Sequence, residues 1–457
     1  MTTPQAPFLQ GSIFKHVVVM TLTGALGLMT LFLVDLADLY FLSLLENSSI
    51  TAGIGFAGSL AFANLSLAIG AGIGAAALVA RSVGAGQIGR AKQYASTGLV
   101  FSLLIAAVFA VLIDFFASEI LGALGATGEA AHQAKLFVWT LSPAFVALAG
   151  TISTSFILRG MGDFRRAMYN TMTAAIITLI LDPIFIFKFG WGIQGTAAAN
   201  GIAYVFAFGQ GLLSLIRNHQ FLVMPSLADM RRDIAAIWAI AWPAIIAQLA
   251  TPFAAAYMNY AMAPYGDAIV AAGTVVNRVV PVAFGMIFSL SGAVGPIIGQ
   301  NFGAKNFARV KLALRDGLGF AVLYSAFMSI FLYLLRNQLI AAFHVTGRAA
   351  ELVVFFTTWI AVTWAFTGGL FVANAAFNNL GKPIYSTWAN WGRATLGTIP
   401  FAIVGAQLAG PEGIMVATAI GSSIFGMAAM VAAWYLVGGI EKKALQKIAA
   451  EGAPSAA

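Results

Sequence analysis

Three aspartates and one threonine lie inside otherwise apolar stretches of the sequence and are its best candidates for chemistry. Asp35 and Asp38 are three residues apart in "VDLADLYFLSL", and Thr178 and Asp182 are four apart in "TLILDPIFIF", so each pair shares one helical face. An intramembrane carboxylate costs about 2.5–3.5 kcal/mol on insertion scales unless it faces protein or water. These residues therefore predict an internal site that holds a proton or a cation. The alternative for Asp38 is a purely structural role. The alternative for Asp35 is a position near the membrane edge, outside the internal site.

Pro183 directly follows Asp182 and is expected to loosen the helix there. Proline donates no backbone N–H and crowds the carbonyl of Leu179, which frees an acceptor near the carboxylate. Irregular backbone at membrane depth is tolerated where it lines a cavity. We interpret Asp182–Pro183 as a polar notch facing the interior of the N-terminal half. The alternative is a structural acid near the helix end, since Lys188 and the turn "KFGWG" follow closely.

Amide side chains occur in other apolar stretches, and each is expected either to bridge helices or to touch a ligand. Asn64, with Asp35, is assigned as an accessory to the acidic site. The candidates for a substrate cavity are Asn170, Gln248, Asn374 and Asn378. Arg278 is the one buried cation candidate, with snorkelling or pairing to a backbone carbonyl as its alternatives.

The composition identifies the setting of these residues as a membrane. The chain has 457 residues, of which 60% are hydrophobic and only 9% charged, and its mean hydropathy is +0.89. Cysteine is absent and the four histidines lie in or beside polar connecting segments, so thiol nucleophiles and most metal sites are excluded. No organic cofactor is expected. The first residues lack the pattern of a cleaved signal peptide, so the first apolar segment is expected to remain.

Apolar runs of about 20 residues predict an all-α membrane protein with twelve transmembrane helices. The predicted spans are 17–44, 52–80, 95–117, 134–158, 167–188, 192–216, 234–263, 268–299, 314–335, 350–377, 385–407 and 413–437.

Most basic residues fall on one side of this twelve-helix arrangement, so the positive-inside rule places both termini in the cytoplasm and the protein in the inner membrane. That side is expected to carry Lys15, Arg81, Arg90, Lys92, Arg159, Arg165, Arg166, Arg217, Arg231, Arg232, Lys305, Arg309, Lys311, Arg315, Lys382, Arg393, Lys442, Lys443 and Lys447. The net charge of +8 therefore reflects topology, and no nucleic-acid partner is expected.

The sequence contains an internal repeat. "RSVGAGQIGRAK" at 81–92 aligns with "QNFGAKNFARVK" at 300–311, and "TGEAA" at 127–131 aligns with "TGRAA" at 346–350, both at a shift of 219 residues. Two six-helix lobes related by a pseudo-two-fold axis along the membrane normal, with a central cavity, are predicted. The predicted divisions are an N-terminal lobe (1–216), a linker (217–233), a C-terminal lobe (234–437) and a cytoplasmic tail (438–457).

An ordered set of motifs resembles the multidrug and toxic compound extrusion (MATE) family of antiporters. The motifs are "VDLADLYFLSL", "RSVGAGQIGRAK", "LRGMGDFRRA", "LDPIFIF" with "GWGIQGTAAAN", and "GQNFGAKNFARVK". The resemblance covers about residues 15–435. It implies export of cationic or amphipathic small molecules through the lipid bilayer, driven by proton or sodium influx, by a protein expected to be a monomer.

The resemblance also implies site residues. In the DinF-like branch, an aspartate of the first helix and the aspartate of the "DP" motif form an ion site in the N-terminal lobe; here these match Asp38 and Asp182. Thr178 stands where the branch often has asparagine, and Asn200 where a hydroxyl residue is common. Both still offer an oxygen, so the four residues are the expected proton or Na⁺ site, with its ion selectivity altered.

Coupling through the C-terminal lobe is not expected, because Gln248 and Thr367 occupy the neighbourhoods where another branch carries acids. We interpret Asp38 and Asp182 as a pair that titrates together and competes with a cationic substrate, with Gly24 and Gly27 allowing helix 1 to bend. Three alternatives are a lipid-linked precursor flippase, an intramembrane enzyme acting on lipids, and an ion channel. The enzyme lacks an obvious nucleophile or metal cluster, and the channel lacks a filter.

Overall fold

The computed structural model describes residues 6–45 and 48–451, and within its helices the side chains of Asp35 and a few other residues lie outside the described part. The described residues form α-helices and short helical turns, with no strand among them, which confirms the all-α class. The helices are α1 Ile13–Ser43, α2 Ser48–Gly84, α3 Ile88–Ala123, α4 Gly128–Leu141, α5 Phe145–Met161, α6 Phe164–Pro183, α7 Gly192–Leu213, α8 Leu227–Met262, α9 Asp267–Ala283, α10 Gly285–Gly303, α11 Phe307–Leu334, α12 Arg336–Ala342, α13 Gly347–Phe355, α14 Trp364–Asn379, α15 Ile384–Ala394 and α16 Ile399–Glu451.

The helices account for twelve membrane crossings. Ten described helical segments are long and apolar enough to cross a bilayer, and α9 with α10, bent by 42°, makes an eleventh. The last segment, Ile384–Ala444, has 61 residues and contains non-helical backbone at Ala409 and Gly410. Because one crossing needs about 20 residues, this segment divides at that kink into two crossings.

Several predicted spans are interrupted where the sequence suggested one continuous helix. A 3₁₀ turn, Ser142–Ala144, joins α4 to α5, and wide turns with i to i+5 hydrogen bonds follow α6 and α13. The predicted span 385–407 breaks between α15 and α16, where Gly397 N donates to Gly392 O at 2.8 Å. Such breaks are tolerated at membrane depth only when protein or an internal cavity surrounds them.

One compact unit contains residues 22–83 and 87–249. Within it, α6 packs along α7 through Ala174, Ala203 and Ala207, whose small side chains let the two backbones approach closely. The segment after α7 also belongs to this unit. Phe221 is fully buried, and Val223 N donates to Ser96 Oγ at 2.9 Å. The predicted linker 217–233 is therefore packed against helices, and α8 begins inside it.

The other compact unit contains residues 6–21, 84–86 and 250–457. Its helices α10, α11, α14 and α16 pack against one another, and Gly368 lies against Ala321 where α14 crosses α11. Residues 438–451, predicted as part of a separate tail, continue α16 as a helix. Lys311 on α11 forms an ion pair with Glu441, which fixes this extension to the unit.

Candidate functional site

Asp38 on α1 and Asp182 on α6 lie together in the interior of the first unit. Their side chains are 7% and 0% exposed, and their carboxyl groups lie within hydrogen-bonding reach of each other. The structure thus brings together the two acids that the sequence singled out. Two carboxylates this close cannot both carry their charge away from water without a proton or a cation between them.

A close approach of α1 and α6 positions the two acids. Gly27 on α1 has no side chain, and a methyl group there would collide with Thr171 Oγ1 of α6. Asp38 follows Gly27 by eleven residues, and Asp182 follows Thr171 by the same number. Eleven residues make about three helical turns, so two parallel helices touching at Gly27 and Thr171 meet again on the same side at the aspartates.

Asn200 on α7 is a third member of the cluster. Its side-chain N donates to Asp38 Oδ2 at 3.0 Å and to the carbonyl of Thr196 at 3.1 Å. The second bond ties the amide to its own helix one turn earlier, which directs the amide group toward α1. Asn200 therefore supports one oxygen of Asp38 and leaves the other available.

Apart from the approach of the two carboxyl groups to each other, several buried polar atoms of this unit have no hydrogen-bond partner among the described residues. They are Asp38 Oδ1, both carboxyl oxygens of Asp182, Thr196 Oγ1, and both amide atoms of Asn64. Buried polar groups are nearly always paired, so a concentration of unpaired ones indicates a place for a bound group. Thr196 was not assigned from the sequence, although its i,i+4 spacing to Asn200 within "GTAAAN" was a signal available there.

Asn64 lies on the same side of an apolar cluster as the two acids. A hydrophobic cluster in this unit includes Leu42 on α1, Leu60 on α2, Ile186 just after α6, and Ala197 on α7. Asp38 and Asp182 each lie four residues from their helix's member of this cluster, and Asn64 lies four residues after Leu60, always on the side of the predicted cytoplasmic end. The polar cluster is therefore covered on its other side by a packed apolar layer.

Among the described side chains, no basic group forms an ion pair with either aspartate. The polar neighbours of Asp38 are Asp182 and Asn200. The pair therefore needs a bound positive charge. Carboxylate, amide and hydroxyl oxygens are suited to bind an exchangeable proton or a hard cation such as Na⁺. Among the described residues, no group of three or more His, Cys, Asp or Glu side chains resembles a site for a tightly held metal.

The remaining residues assigned to the ion site are placed as follows. Thr178 is buried, 1% exposed, one turn before Asp182 on α6. After Pro183 the helix widens, and Phe189 N donates to Ile184 O at 3.1 Å, so the expected loosening follows the acid directly. Asp35 lies on α1, with its side chain outside the described residues.

The four candidates for a substrate cavity do not form one cluster. Asn170 is fully buried between helices of the first unit, and its amide N donates to Ser155 Oγ at 3.2 Å. Gln248 is partly exposed on α8. Asn374 and Asn378 lie on α14 in the second unit and accept hydrogen bonds from Asn390 Nδ2 at 3.1 Å and Ser386 Oγ at 3.2 Å on α15.

Arg278 and Arg393, both inside predicted spans, are placed differently from the expectation. Arg278, expected as the buried cation, is exposed on α9. Arg393, expected on the cytoplasmic face, lies near the end of α15 with its Nε buried. The span 385–407 breaks after Arg393, a feature that no apolar run reveals.

A surface groove of about 600 Å³ lies elsewhere in the first unit. It runs along α6 and α7 between Thr173 and Arg217, and neither carboxylate lines it. Exposed Phe206 and Leu213 give it apolar walls that suit lipid chains. The candidate ion site is at the buried acids, because none of the described residues that line the groove has a buried polar atom without a hydrogen-bond partner.

Twelve membrane crossings, with a buried carboxylate pair in the first unit that no cation among the described side chains neutralises, define a polytopic membrane transporter. The family model MatE matches residues 25–184 and 243–404, two stretches displaced by nearly the shift of the internal repeat. The chain belongs to this family of multidrug and toxic compound extrusion transporters.

Three relatives illustrate what the chain is similar to. A protein named FAD transporter from Shewanella oneidensis is 28% identical over 418 residues, which cover 90% of this chain and 92% of that protein. The probable multidrug resistance protein YoeA of Bacillus subtilis is 25% identical over 353 residues, covering 73% and 75%. The structure of a MOP superfamily transporter from Pyrococcus furiosus superposes with a TM-score of 0.89 at 22% identity, covering 96% and 99%, and confirms the fold.

Proposed function

We propose that the protein is a secondary active exporter of cationic or amphipathic organic compounds, driven by the inward movement of protons or sodium ions. The single observation that carries this proposal is the contact between Asp38 and Asp182, two buried carboxyl groups that no basic group among the described side chains neutralises. A coupling ion has to be bound and released in each cycle. A site that is unstable when empty and stable when occupied meets that requirement.

In this mechanism the ion occupies the space bounded by the free oxygens of the two aspartates. Asn200 keeps one oxygen of Asp38 engaged, so the other oxygen and both oxygens of Asp182 bind the ion. Thr196 Oγ1 and Asn64 supply neutral oxygens at its border. Thr178, one turn before Asp182 on α6, is proposed to supply a further hydroxyl oxygen to the ion.

Ion binding is coupled to transport through α1 and α6. When the site is empty, the two carboxylates repel each other and favour separation of these helices; a proton or Na⁺ removes the repulsion and favours their approach. A ligand shifts a conformational equilibrium only by its difference in affinity between the two states. The ion therefore selects the arrangement in which Asp38 and Asp182 are close, and a cationic substrate competes by favouring the charged pair.

The test is gradient-driven transport in proteoliposomes. A fluorescent organic cation such as ethidium would be followed with an imposed pH gradient in one arm and a sodium gradient in the other, for the wild type, Asp38→Asn and Asp182→Asn. Each variant should lose gradient-driven transport at least tenfold. Asp114→Asn, which removes an exposed acid on α3, is the matched control and should transport normally. Full transport by Asp38→Asn would refute the proposed coupling site.

The name of the Shewanella relative favours a second class of substrate. A flavin nucleotide carries phosphate groups, so its export would require a cationic contact rather than a carboxylate. We therefore propose that the protein transports organic anions as well as cations.

We also propose that the protein acts as a monomer in the inner membrane, with both termini in the cytoplasm.

A further inference from the structure

Arg393 is a charged residue inside the predicted membrane span 385–407. Nine residues separate it from the start of α15 at Ile384, which corresponds to roughly 14 Å of a hydrocarbon core about 30 Å thick. An arginine remains charged under all physiological conditions. Such a residue inside the membrane faces protein, water or a ligand rather than acyl chains, and it marks a functional site by default.

The guanidinium group is poorly satisfied by the protein. Nε is buried and has no hydrogen-bond partner, and an amino group of the fork reaches Thr251 Oγ1 on α8 at 3.4 Å, which is a long contact. No carboxylate among the described residues forms an ion pair with it. Arg393 therefore has donors in reserve, in the fixed fork geometry that matches a carboxylate or a phosphate.

The helix break beside Arg393 holds it in place. α15 ends at Ala394, and Thr398 Oγ1 donates to the carbonyl of Arg393 at 2.9 Å, while Phe425 of α16 packs against Gly392. The partial negative charge at the end of α15 offsets part of the cost of the cation without using its side-chain donors. Discontinuous helices of this kind form substrate and ion sites in other transporter folds.

Polar groups extend from Arg393 along the same face of α15. Asn390, three residues earlier, donates to Asn374 Oδ1, and Ser386, one turn earlier again, donates to Asn378 Oδ1. Beside this row, Trp391 stacks near Phe253 with ring centroids 5.3 Å apart. The amides of this row bond to one another and to Ser386, so Arg393 and the aromatic pair are the groups that suit a ligand combining an anionic group with a planar ring.

We propose that Arg393 is the anion-recognising residue of a substrate site in the second unit, which takes organic anions carrying a phosphate or carboxylate group. This inference rests on the proposed function, because it assumes that the protein transports small molecules. It assigns the two binding tasks to separate units. Carboxylates in the first unit bind the coupling ion, and a guanidinium in the second unit binds the anionic group of the substrate.

Binding of riboflavin and its 5′-phosphate to the purified protein tests the proposal, since these fluorescent compounds differ only in the phosphate. In phosphatidylcholine nanodiscs, the wild type should bind the phosphate at least tenfold more tightly than riboflavin. Arg393→Gln should remove that preference by weakening phosphate binding at least tenfold while leaving riboflavin binding unchanged. Arg336→Gln, which changes a partly exposed arginine bonded to the Tyr333 carbonyl, is the control and should behave as the wild type.

Three outcomes would overturn the proposal. Arg393→Gln could keep the preference for the phosphate, or the wild type could bind both compounds equally, or the wild type could bind neither compound. If Arg393→Gln does not fold, Arg393→Lys is measured in its place. Loss of the planar fork should weaken binding of riboflavin 5′-phosphate at least threefold and leave riboflavin binding unchanged. An unaltered affinity for the phosphate compound would overturn the proposal. A lipid phosphate offers the same chemistry, so the measurement is repeated in phosphatidylglycerol nanodiscs. Competition by that lipid, dependent on Arg393, would assign the site to lipid and reject the substrate role.

Transport of ethidium by the same preparations separates the two proposals. If the wild type binds riboflavin 5′-phosphate through Arg393 but moves neither compound under any ion gradient, the proposed function fails and the anion site stands. If the wild type transports ethidium and shows no phosphate preference, the anion site fails and the proposed function stands.

Discussion

Arg90 and Asp233 lie 143 residues apart in the chain, and their side chains form a two-pronged ion pair. The two amino groups of the guanidinium donate to Asp233 Oδ1 at 2.8 Å and to Oδ2 at 3.2 Å, and the Asp233 side chain is fully buried. Tyr94 also accepts from Arg90, at 2.9 Å. The pair fixes the start of α8 to the start of α3 within the first unit.

Removing Arg90 should destabilise the protein more than neutralising its partner. Arg90→Ala leaves a buried carboxylate with only the exposed Arg232 beside it, which is expected to cost about 3 kcal/mol. Asp233→Asn leaves a partly exposed arginine that water can solvate, and about 1 kcal/mol is expected. Thermal unfolding in detergent measures both, with Arg315→Ala, which is 70% exposed, as the control. The reverse order would contradict the argument.

Arg309 occupies the position of Arg90 in the second copy of the repeat, and it holds a different segment. It donates to the carbonyls of Phe8, Gln10 and Gly11 at 2.8–3.2 Å, and Asn301 donates to Phe8 O at 3.1 Å. Arg309→Ala should release this segment and increase its hydrogen exchange at least tenfold. Mass spectrometry of the N-terminal peptide measures the change, and unaltered exchange would show that other contacts hold the segment.

Gly27 should be sensitive to the addition of a single methyl group. Gly27→Ala forces α1 away from Thr171 on α6 and so moves Asp38 relative to Asp182, and an overpacked contact costs about 1–3 kcal/mol. Transport driven by the ion gradient is expected to fall several-fold, with reduced thermal stability. Gly58→Ala on α2, where the new methyl group meets open space, is the matched control. Equal transport by both variants would separate the helix contact from coupling.

Asp163, in the turn before α6, should make stability depend on pH in the acid range. Burial alone would raise its pKa, but hydrogen bonds from His219 and from the backbone and guanidinium of Arg166 outweigh burial and lower the pKa from 3.8 to about 2. A depressed pKa contributes stability above the unfolded value, and the contribution is lost as pH falls from 3.8 toward 2. Asp163→Asn should therefore cost about 2 kcal/mol at pH 7 and almost nothing near pH 2.

Thermal unfolding of Asp163→Asn and the wild type across this pH range checks the prediction. Asp229→Asn, which removes a partly exposed i,i+3 partner of Arg232, should cost at most about 1 kcal/mol and serves as the control. A cost for Asp163→Asn that stays constant down to pH 2 would show that the lost hydrogen bonds, and not the charge, carry the effect.

Local sequence patterns predicted the parts of this protein that depend on local physics. Apolar runs and the distribution of basic residues predicted helical crossings because lipid admits few other spanning structures. Asp38 and Asp182 stood out because carboxylates are costly at that depth. Where a prediction depended on which helix faces which, it was wrong or incomplete: Arg278, expected as a buried cation, is exposed, and Thr196 was not assigned at all.

The sequence by itself determined that this chain is an all-helical membrane protein with a duplicated half and three conspicuous acids, since period, composition and charge are properties of short segments. Only the tertiary structure decided that Gly27 and Thr171 bring Asp38 and Asp182 into contact, that Asn200 supports Asp38, and that Arg393 pairs with no carboxylate among the residues that the structure describes. The reason is that pairing between side chains depends on the approach and register of helices far apart in the chain, which no local pattern contains.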